Sequence, residues 1–271
     1  MTATEREAVV VAVGQQRGAM ALHVMCERDV GLFSLIQQVI SNIPWAIREG
    51  RTPVACFRDR TCYWTPNGYA DRNTVWEYYF EPVFDTFPVS EIPQQILDKI
   101  SRHHPSPFEV GYFVEGETFA TAHFGDHPDL AELTLRIPFE LEDPSAALRR
   151  EAHEIITQFI RPRDYIRERA ERFFKENLAQ ERIIAVHVRG TDAVSAKEVR
   201  SYRAASLDLP RYLEEIENLL RIWPSAKVLV ATDARSSLEW LRTRLGSRLY
   251  SYGSVVHEAG DPVGEGPRCW I

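Results

Sequence analysis

Apolar runs and helical stripes alternate along the chain, and this alternation predicts an α/β fold. Short apolar runs at 8–13 and 20–26 predict two strands, and residues 32–48 carry apolar side chains at helical spacing. A further apolar run from Pro53 to Phe57 predicts the next strand. Strand, helix and strand in this order predict two parallel neighbours in one sheet.

The middle of the chain is richer in aromatic side chains and less regular. Trp76, Tyr79 and Phe80 fall three and four positions apart, which predicts one apolar helical face. Pro162 suits the first position of a helix. The remaining pattern predicts three helices and one strand, in chain order: helix Pro93–Arg102, strand Phe108–Val114, helix Ser145–Ile160 and helix Pro162–Leu178.

The last third of the chain has the clearest pattern, a regular alternation of strands and helices. It is typical of a doubly wound, nucleotide-binding half. We therefore expect two lobes, residues 1–160 and 161–271. The predicted elements of the second are strand Ile183–Val188, helix Leu209–Ile222, strand Lys227–Ala231, helix Ser236–Leu245 and strand Arg248–Ser251.

Polar residues follow the first two strands of that half. One group is His187, Arg189, Gly190, Thr191 and Asp192, and the other is Thr232 with Asp233. Ligands of open α/β sheets bind beyond the carboxyl ends of the strands, so we expect both groups at one binding edge. The arginine offers a planar fork for phosphate oxygens, and the glycine allows close approach of the backbone.

Composition narrows the class of protein further. The chain has 271 residues and a formal net charge of -7, which argues against a nucleic-acid binder that depends on phosphate attraction. Neither a signal peptide nor a membrane span is indicated, so a cytoplasmic protein is expected. The cysteines have no metal-type spacing, and a metal site is not indicated at His123, Asp126, His127 and Asp129.

Several motifs in this order resemble the GT-B-fold fucosyltransferase superfamily, which includes the nodulation α-1,6-fucosyltransferases and the protein O-fucosyltransferases. Each motif alone is weak, but together they span roughly residues 30–250. The motifs are Gly31-Leu-Phe-Ser34, Gly50-Arg-Thr-Pro-Val54, Trp76-Glu-Tyr-Tyr-Phe-Glu-Pro82, His187-Val-Arg-Gly-Thr-Asp192 and Ala231-Thr-Asp233.

The resemblance implies a GT-B-like fold of two Rossmann-like lobes, the first for the acceptor and the second for the sugar nucleotide. It also implies inverting transfer of fucose from GDP-fucose to a glycan or glycolipid hydroxyl, without a metal. Arg189 would clasp the diphosphate, while His187, Thr191, Asp192, Thr232 and Asp233 would line the pocket. Glu198 is the expected catalytic base, with Glu27 and Asp29 as rivals.

Two departures from the family pattern leave alternatives open. Ala193 stands where many relatives have a basic residue, and an irregular tail follows Tyr252 where relatives continue with further elements. The second lobe is therefore expected to be shortened. The alternatives are a non-catalytic or truncated relative that binds a sugar nucleotide or glycan, and an unrelated phosphate-handling hydrolase. The acceptor, the choice among GDP-sugars and the oligomeric state are not indicated.

Overall fold

The structure is a computed structural model that describes residues 21–84, 87–125, 134–135, 144–179, 181–188, 208–232 and 234–253. The chain divides into two compact units, Met1–Arg163 and Asp164–Ile271. Each unit contains a sheet and helices, which confirms the predicted α/β class. The strand predicted at 8–13 lies outside the described residues.

The first unit is built on a four-stranded sheet with the strand order β2-β1-β4-β3. The central strand β1 is parallel to both β2 and β4, whereas β3 is antiparallel to β4. The described elements of this unit are β1 (Leu22–Cys26), α1 (Leu32–Arg48), β2 (Thr52–Cys56), α2 (Val75–Tyr79), a 3-10 turn (Val89–Glu91), α3 (Gln94–Arg102), β3 (Tyr112–Glu115), β4 (Thr118–Thr121) and α4 (Ala146–Phe159).

Both faces of this sheet are covered, which explains why every residue of β1 and β2 is buried. One face carries alternate residues such as Val24 and Val54, which pack with Ile96 and Ile100 of α3. The other face carries His23 and Phe119, against which Trp45 of α1 packs edge-on. Burial of this apolar surface is the main stabilising contribution to the unit.

Helix α1 has the bounds predicted from its apolar spacing. Leu35, Val39, Ile43 and Ala46 form one fully buried stripe, and Pro44 lies inside the helix without ending it. The helix is followed by Gly50, whose φ of +66° is a left-handed conformation that favours glycine after a helix.

Predictions in the middle of the chain are wrong in detail. The strand expected from Phe108 begins at Tyr112, and strand β4 was not predicted. Pro162 is not the first residue of a helix, since it bridges to Phe80 and the helix begins at Asp164. Its φ suits a helix start, but the backbone pairing holds it outside.

The second unit contains a parallel sheet with the strand order β5-β6-β7. Apolar residues of these strands pack with Ile216 of α6 and Leu241 of α7. Asp208 caps the start of helix α6, and its carboxylate accepts from the N–H of Arg211 at 3.1 Å. The described elements are α5 (Asp164–Asn177), β5 (Ile183–Val188), α6 (Leu209–Ile222), β6 (Lys227–Thr232), α7 (Arg235–Leu245), a 3-10 turn (Gly246–Arg248) and β7 (Leu249–Tyr250).

Candidate functional site

The carboxyl edge of the second sheet brings together the two strand ends singled out in the sequence. Strands β5 and β6 pair in parallel, with His187 opposite Ala231 and Val188 opposite Thr232. Val188 is buried under the helices, whereas His187 is exposed on the opposite face. The predicted residues that lie outside the described part of the chain are Arg189, Gly190, Thr191, Asp192, Glu198 and Asp233.

The Thr232 side chain is engaged in a local contact. Its hydroxyl accepts a hydrogen bond from the N–H of Ala234 at 3.2 Å, directly before α7 begins at Arg235. This contact turns the chain from the strand into the helix, as serine and threonine often do. Thr232 therefore shapes the edge of the sheet.

The carboxyl edge of the first sheet contains a buried carboxylate, Glu27, immediately after β1. Its Oε2 lies 3.7 Å from Nε2 of His104, and its side chain is 5% exposed. Burial alone would raise the pKa of Glu27, but His104 and the N–H groups of Glu27 and Arg58 outweigh burial and lower it. The carboxylate is therefore held in its ionised form.

A small cavity of about 80 Å³ adjoins this carboxylate, between the ends of β1 and β2 and helix α3. Arg58 and Arg60, which follow β2, line this cavity. Cys56 also lines it, as a neutral thiol, because burial and then the charge of Glu27 raise its pKa to about 12. His104, Arg58 and Arg60 are not among the site residues predicted from the sequence.

A signal for these residues was nevertheless present in the sequence. Polar residues that follow a buried parallel strand pointed to Thr232, and the same rule applied to β2 points to Arg58 and Arg60. No comparable signal points to His104, because it lies after α3 and reaches the edge only through the packing of that helix.

The loop after β1 is fixed on several sides. Arg28 donates from Nε to Oε1 of Gln38 at 2.9 Å and lies over the ring of Phe124 at 5.0 Å. Gln38 in turn donates to the carbonyl of Cys26 at 2.8 Å. At the start of α1, the N–H of Leu32 donates to the hydroxyl of Tyr63 at 3.1 Å. The edge of this sheet is thus held in place by bonds to α1 and to the loop after β2.

Neither a metal cluster nor a membrane span is present in the part of the chain that the structure describes. No group of three or more His, Cys, Asp or Glu side chains there is placed to hold a metal ion. His123 is buried, and its Nδ1 accepts from the N–H of Gly125 at 2.8 Å. No helix in those ranges is long and apolar enough to cross a membrane.

Comparison with known proteins gives matches among solved structures alone. No family model matches the chain, and no curated protein matches it. It is similar to the fucosyltransferase NodZ from Bradyrhizobium, at 19% identity and a TM-score of 0.46, over 87% of this chain and 78% of that one.

Two further solved structures are similar to the chain. NodZ α-1,6-fucosyltransferase soaked with GDP-fucose has 19% identity and a TM-score of 0.48, over 88% of this chain and 79% of that one. POFUT1 in complex with GDP has 16% identity and a TM-score of 0.48, over 86% of each chain.

Proposed function

We propose that the protein is an inverting, metal-independent glycosyltransferase that transfers fucose from GDP-fucose to a hydroxyl of a glycan or glycolipid. The second unit would hold the sugar nucleotide, and the first would hold the acceptor. Another GDP-sugar is also a candidate donor, because contacts to the diphosphate do not distinguish one sugar from another.

The observation that carries this proposal is the register of β5 and β6. Val188 and Thr232 end their strands side by side, so the segments that continue from them leave the sheet at one edge. One of these segments begins with Arg189 and the other with Asp233. Packing alone does not require two polar segments here, whereas a nucleotide site at the end of a parallel sheet does.

The chemistry assigned to these segments follows from the charge that develops during transfer. GDP gains negative charge as it leaves, and a pre-positioned guanidinium at Arg189 stabilises it in the transition state. Gly190, Thr191 and Asp192 would supply backbone N–H, hydroxyl and acceptor groups around the nucleotide. Inversion by direct displacement also needs a base within reach of the acceptor hydroxyl, and we assign that role to Glu198.

The two rival bases differ in their surroundings. Glu27 is a weak base, because hydrogen-bond donors lower its pKa and its carboxylate is buried. Asp29 is exposed in the same loop and keeps access to solvent. The environment therefore favours Asp29 over Glu27 as the alternative to Glu198.

Donor binding is tested by thermal-shift titration with GDP and GDP-fucose. At a hundred times its dissociation constant, a ligand stabilises the fold by about 2.7 kcal/mol. We expect Arg189→Ala to abolish the shift and the matched control Arg242→Ala, on the exposed side of α7, to keep it. If no nucleoside diphosphate shifts the wild-type transition, the donor-site proposal is wrong.

Catalysis is tested separately from binding. Glu198→Ala is expected to keep the GDP shift and to lose release of GDP from GDP-fucose, in buffer with and without a chelator. If Glu198→Ala turns over normally and Asp29→Ala does not, the base is Asp29. If wild-type protein binds GDP but transfers no sugar to any glycan offered, the chain is a non-catalytic relative.

A further inference from the structure

The last residues of the first unit pair with the motif at residues 76–82, to which the candidate sites assign no role. Phe80 and Pro162 form an antiparallel bridge. The two backbone hydrogen bonds that flank this bridge are Glu81 N–H to the Arg161 carbonyl at 2.8 Å and Arg163 N–H to the Tyr79 carbonyl at 3.0 Å. We refer to 76–82 and 161–163 as the paired segments, because each fixes the backbone of the other.

Arginine side chains add further hydrogen bonds to this pairing. Arg163 donates from Nε to the carbonyl of Glu77 at 2.8 Å and from Nη1 to Oε2 of Glu81 at 2.9 Å. Arg161 donates from Nη2 to the carbonyl of Pro82 at 3.0 Å. The Arg163 side chain is 12% exposed, and it holds the paired segments together at their end.

The motif side of the pairing is fixed in the core of the first unit. Trp76 is buried, and its Nε1 donates to the carbonyl of Glu81 at 2.9 Å. The carboxylate of Glu77 is also buried and accepts from the N–H of Val89 at 3.0 Å. The chain is therefore held by the first unit as far as Arg163.

The helix that follows has a different character. Helix α5 begins at Asp164, and none of its fourteen residues is buried. Its ion pairs join Arg167 to Asp164 at 2.7 Å and to Glu171 at 3.9 Å, within the same helix. Exposed pairs of this kind contribute little stability. The change from a hydrogen-bonded segment to a helix without a buried residue thus falls between Arg163 and Asp164.

We propose that the link between Arg163 and Asp164 is a hinge, and that the paired segments are its fixed side. Hinges are a few residues at the ends of elements that change their backbone angles while the parts on either side keep their structure. Arg163 acts as a positioning residue, because its side chain fixes the point at which the chain leaves the first unit. The proposal does not depend on the identity of any substrate.

Hydrogen exchange of the full chain tests the fixed side of the hinge. Arg163→Ala removes both side-chain hydrogen bonds, and we expect the amides of 79–82 to exchange at least about tenfold faster. Exchange in β1 and β5 should stay as in wild type. Arg167→Ala is the matched control, because Arg167 is exposed and its ion pairs lie within α5.

A milder variant guards against a general loss of structure. Glu81→Gln removes the ion pair and leaves the hydrogen bond of Arg163 to the Glu77 carbonyl, so exchange at 79–82 should rise less than in Arg163→Ala. Wild-type exchange at 79–82 in both variants would overturn the proposal. Faster exchange throughout β1 in both would also overturn it, because the paired segments would then be part of the core.

The position of the hinge is tested by inserting two glycines into the chain. An insertion between Arg163 and Asp164 should leave the exchange of 79–82, β1 and β5 unchanged. The same insertion between Arg161 and Pro162 separates the backbone hydrogen bonds and should speed exchange at 79–82. If the first insertion speeds exchange at 79–82 as much as the second, the hinge does not lie after Arg163.

Motion at the hinge is measured as the distance distribution between two spin labels, one in each unit. Labels on keto amino acids at Gln95 and Glu239, both exposed positions, leave the native cysteines in place. We expect Arg163→Ala and the insertion after Arg163 to broaden the distribution and Arg167→Ala to leave it unchanged. Identical distributions in wild type and all variants would overturn the hinge.

Titration of GDP in the same samples separates the hinge from the donor site proposed above. Arg163→Ala should keep the thermal shift with GDP, because Arg163 belongs to the first unit. If Arg163→Ala alone loses the shift, its side chain is needed by the second unit and the hinge is overturned. If wild-type protein does not bind GDP, the donor site is wrong, and the exchange and distance measurements decide on the hinge alone.

Discussion

The most informative single perturbation of the first unit is the removal of His23 from β1. This side chain is fully buried between Trp45 and Phe119, with ring centroids at 4.7 and 5.5 Å. Burial, reinforced by the positive charge of Arg51 and opposed weakly by Asn42, lowers the pKa of His23 from 6.5 to about 3. The native protein therefore keeps this ring neutral in mild acid.

The magnitude follows from the difference between the folded and unfolded chains. Below pH 6.5 the unfolded chain binds a proton at His23 that the folded chain does not, which costs about 1.4 kcal/mol of stability per pH unit. Stability is thus fully present above pH 6.5 and is lost as the pH falls towards 3. Between pH 7 and pH 5, His23 alone should lower the free energy of unfolding by about 2 kcal/mol.

The assay compares wild-type protein with His23→Leu, which has no titrating group at this position. Urea unfolding at pH 7, 6 and 5 gives the difference in free energy of unfolding, and other titrating groups cancel. Hydrogen exchange of the peptide that contains β1 identifies which unfolding transition in urea belongs to the unit that contains His23. We expect His23→Leu to gain about 2 kcal/mol over wild type from pH 7 to pH 5.

A matched control removes a histidine from the surface. His153 is exposed on α4, and His153→Leu makes the same substitution outside the core. The reasoning is refuted if the difference between His23→Leu and wild type stays constant from pH 7 to pH 5, since His23 would then titrate alike in both states.

Further predictions concern glycine, a carboxylate and an aromatic core residue. Gly125 has φ +97°, and the Cβ that an alanine would add there lies 2.8 Å from Ser41 Oγ. Gly125→Ala should therefore lower the free energy of unfolding in urea by about 2–4 kcal/mol. Gly116→Ala, at φ +54° with open space, should cost about 1 kcal/mol, and equal costs would contradict this. Because the pKa of Glu27 is lowered, its stabilising effect is present above pH 4.5 and lost in stronger acid. Glu27→Gln should therefore cost about 1–3 kcal/mol at pH 7 and reduce the loss of unfolding free energy in acid. Trp76→Ala should cost about 3–5 kcal/mol, because the side chain is 1% exposed; a smaller loss would show that its site repacks.

Helices and strands whose apolar residues follow one regular spacing could be predicted from the sequence almost to the residue. Helix α1 has a complete apolar stripe, and β5 is a run of apolar residues before His187, so local pattern and tertiary burial agree in both. Strand β4 could not be predicted, because its position in the sheet depends on pairing with β1, far away in the sequence. Its threonines are buried by neighbours that no local window contains.

The two candidate sites also differ in how far they could be predicted from the sequence. The edge formed by Val188 and Thr232 could be predicted because each strand is followed directly by its polar residues. The pair of Glu27 and His104 could not, because it depends on where α3 packs against the ends of β1 and β2. A polar residue at a strand end is visible in the sequence, but the residue that faces it from another element is not.

The central position of β1 has a consequence for folding. Its partner on one side, β2, follows after a single helix, whereas its partner on the other side, β4, is synthesised much later. Until β4 arrives, His23, Val24 and Met25 form an open strand edge of a kind that promotes association between chains. Recovery of native protein after dilution from denaturant should therefore fall as protein concentration rises, and the assembly of β4 onto β1 should be the slow step.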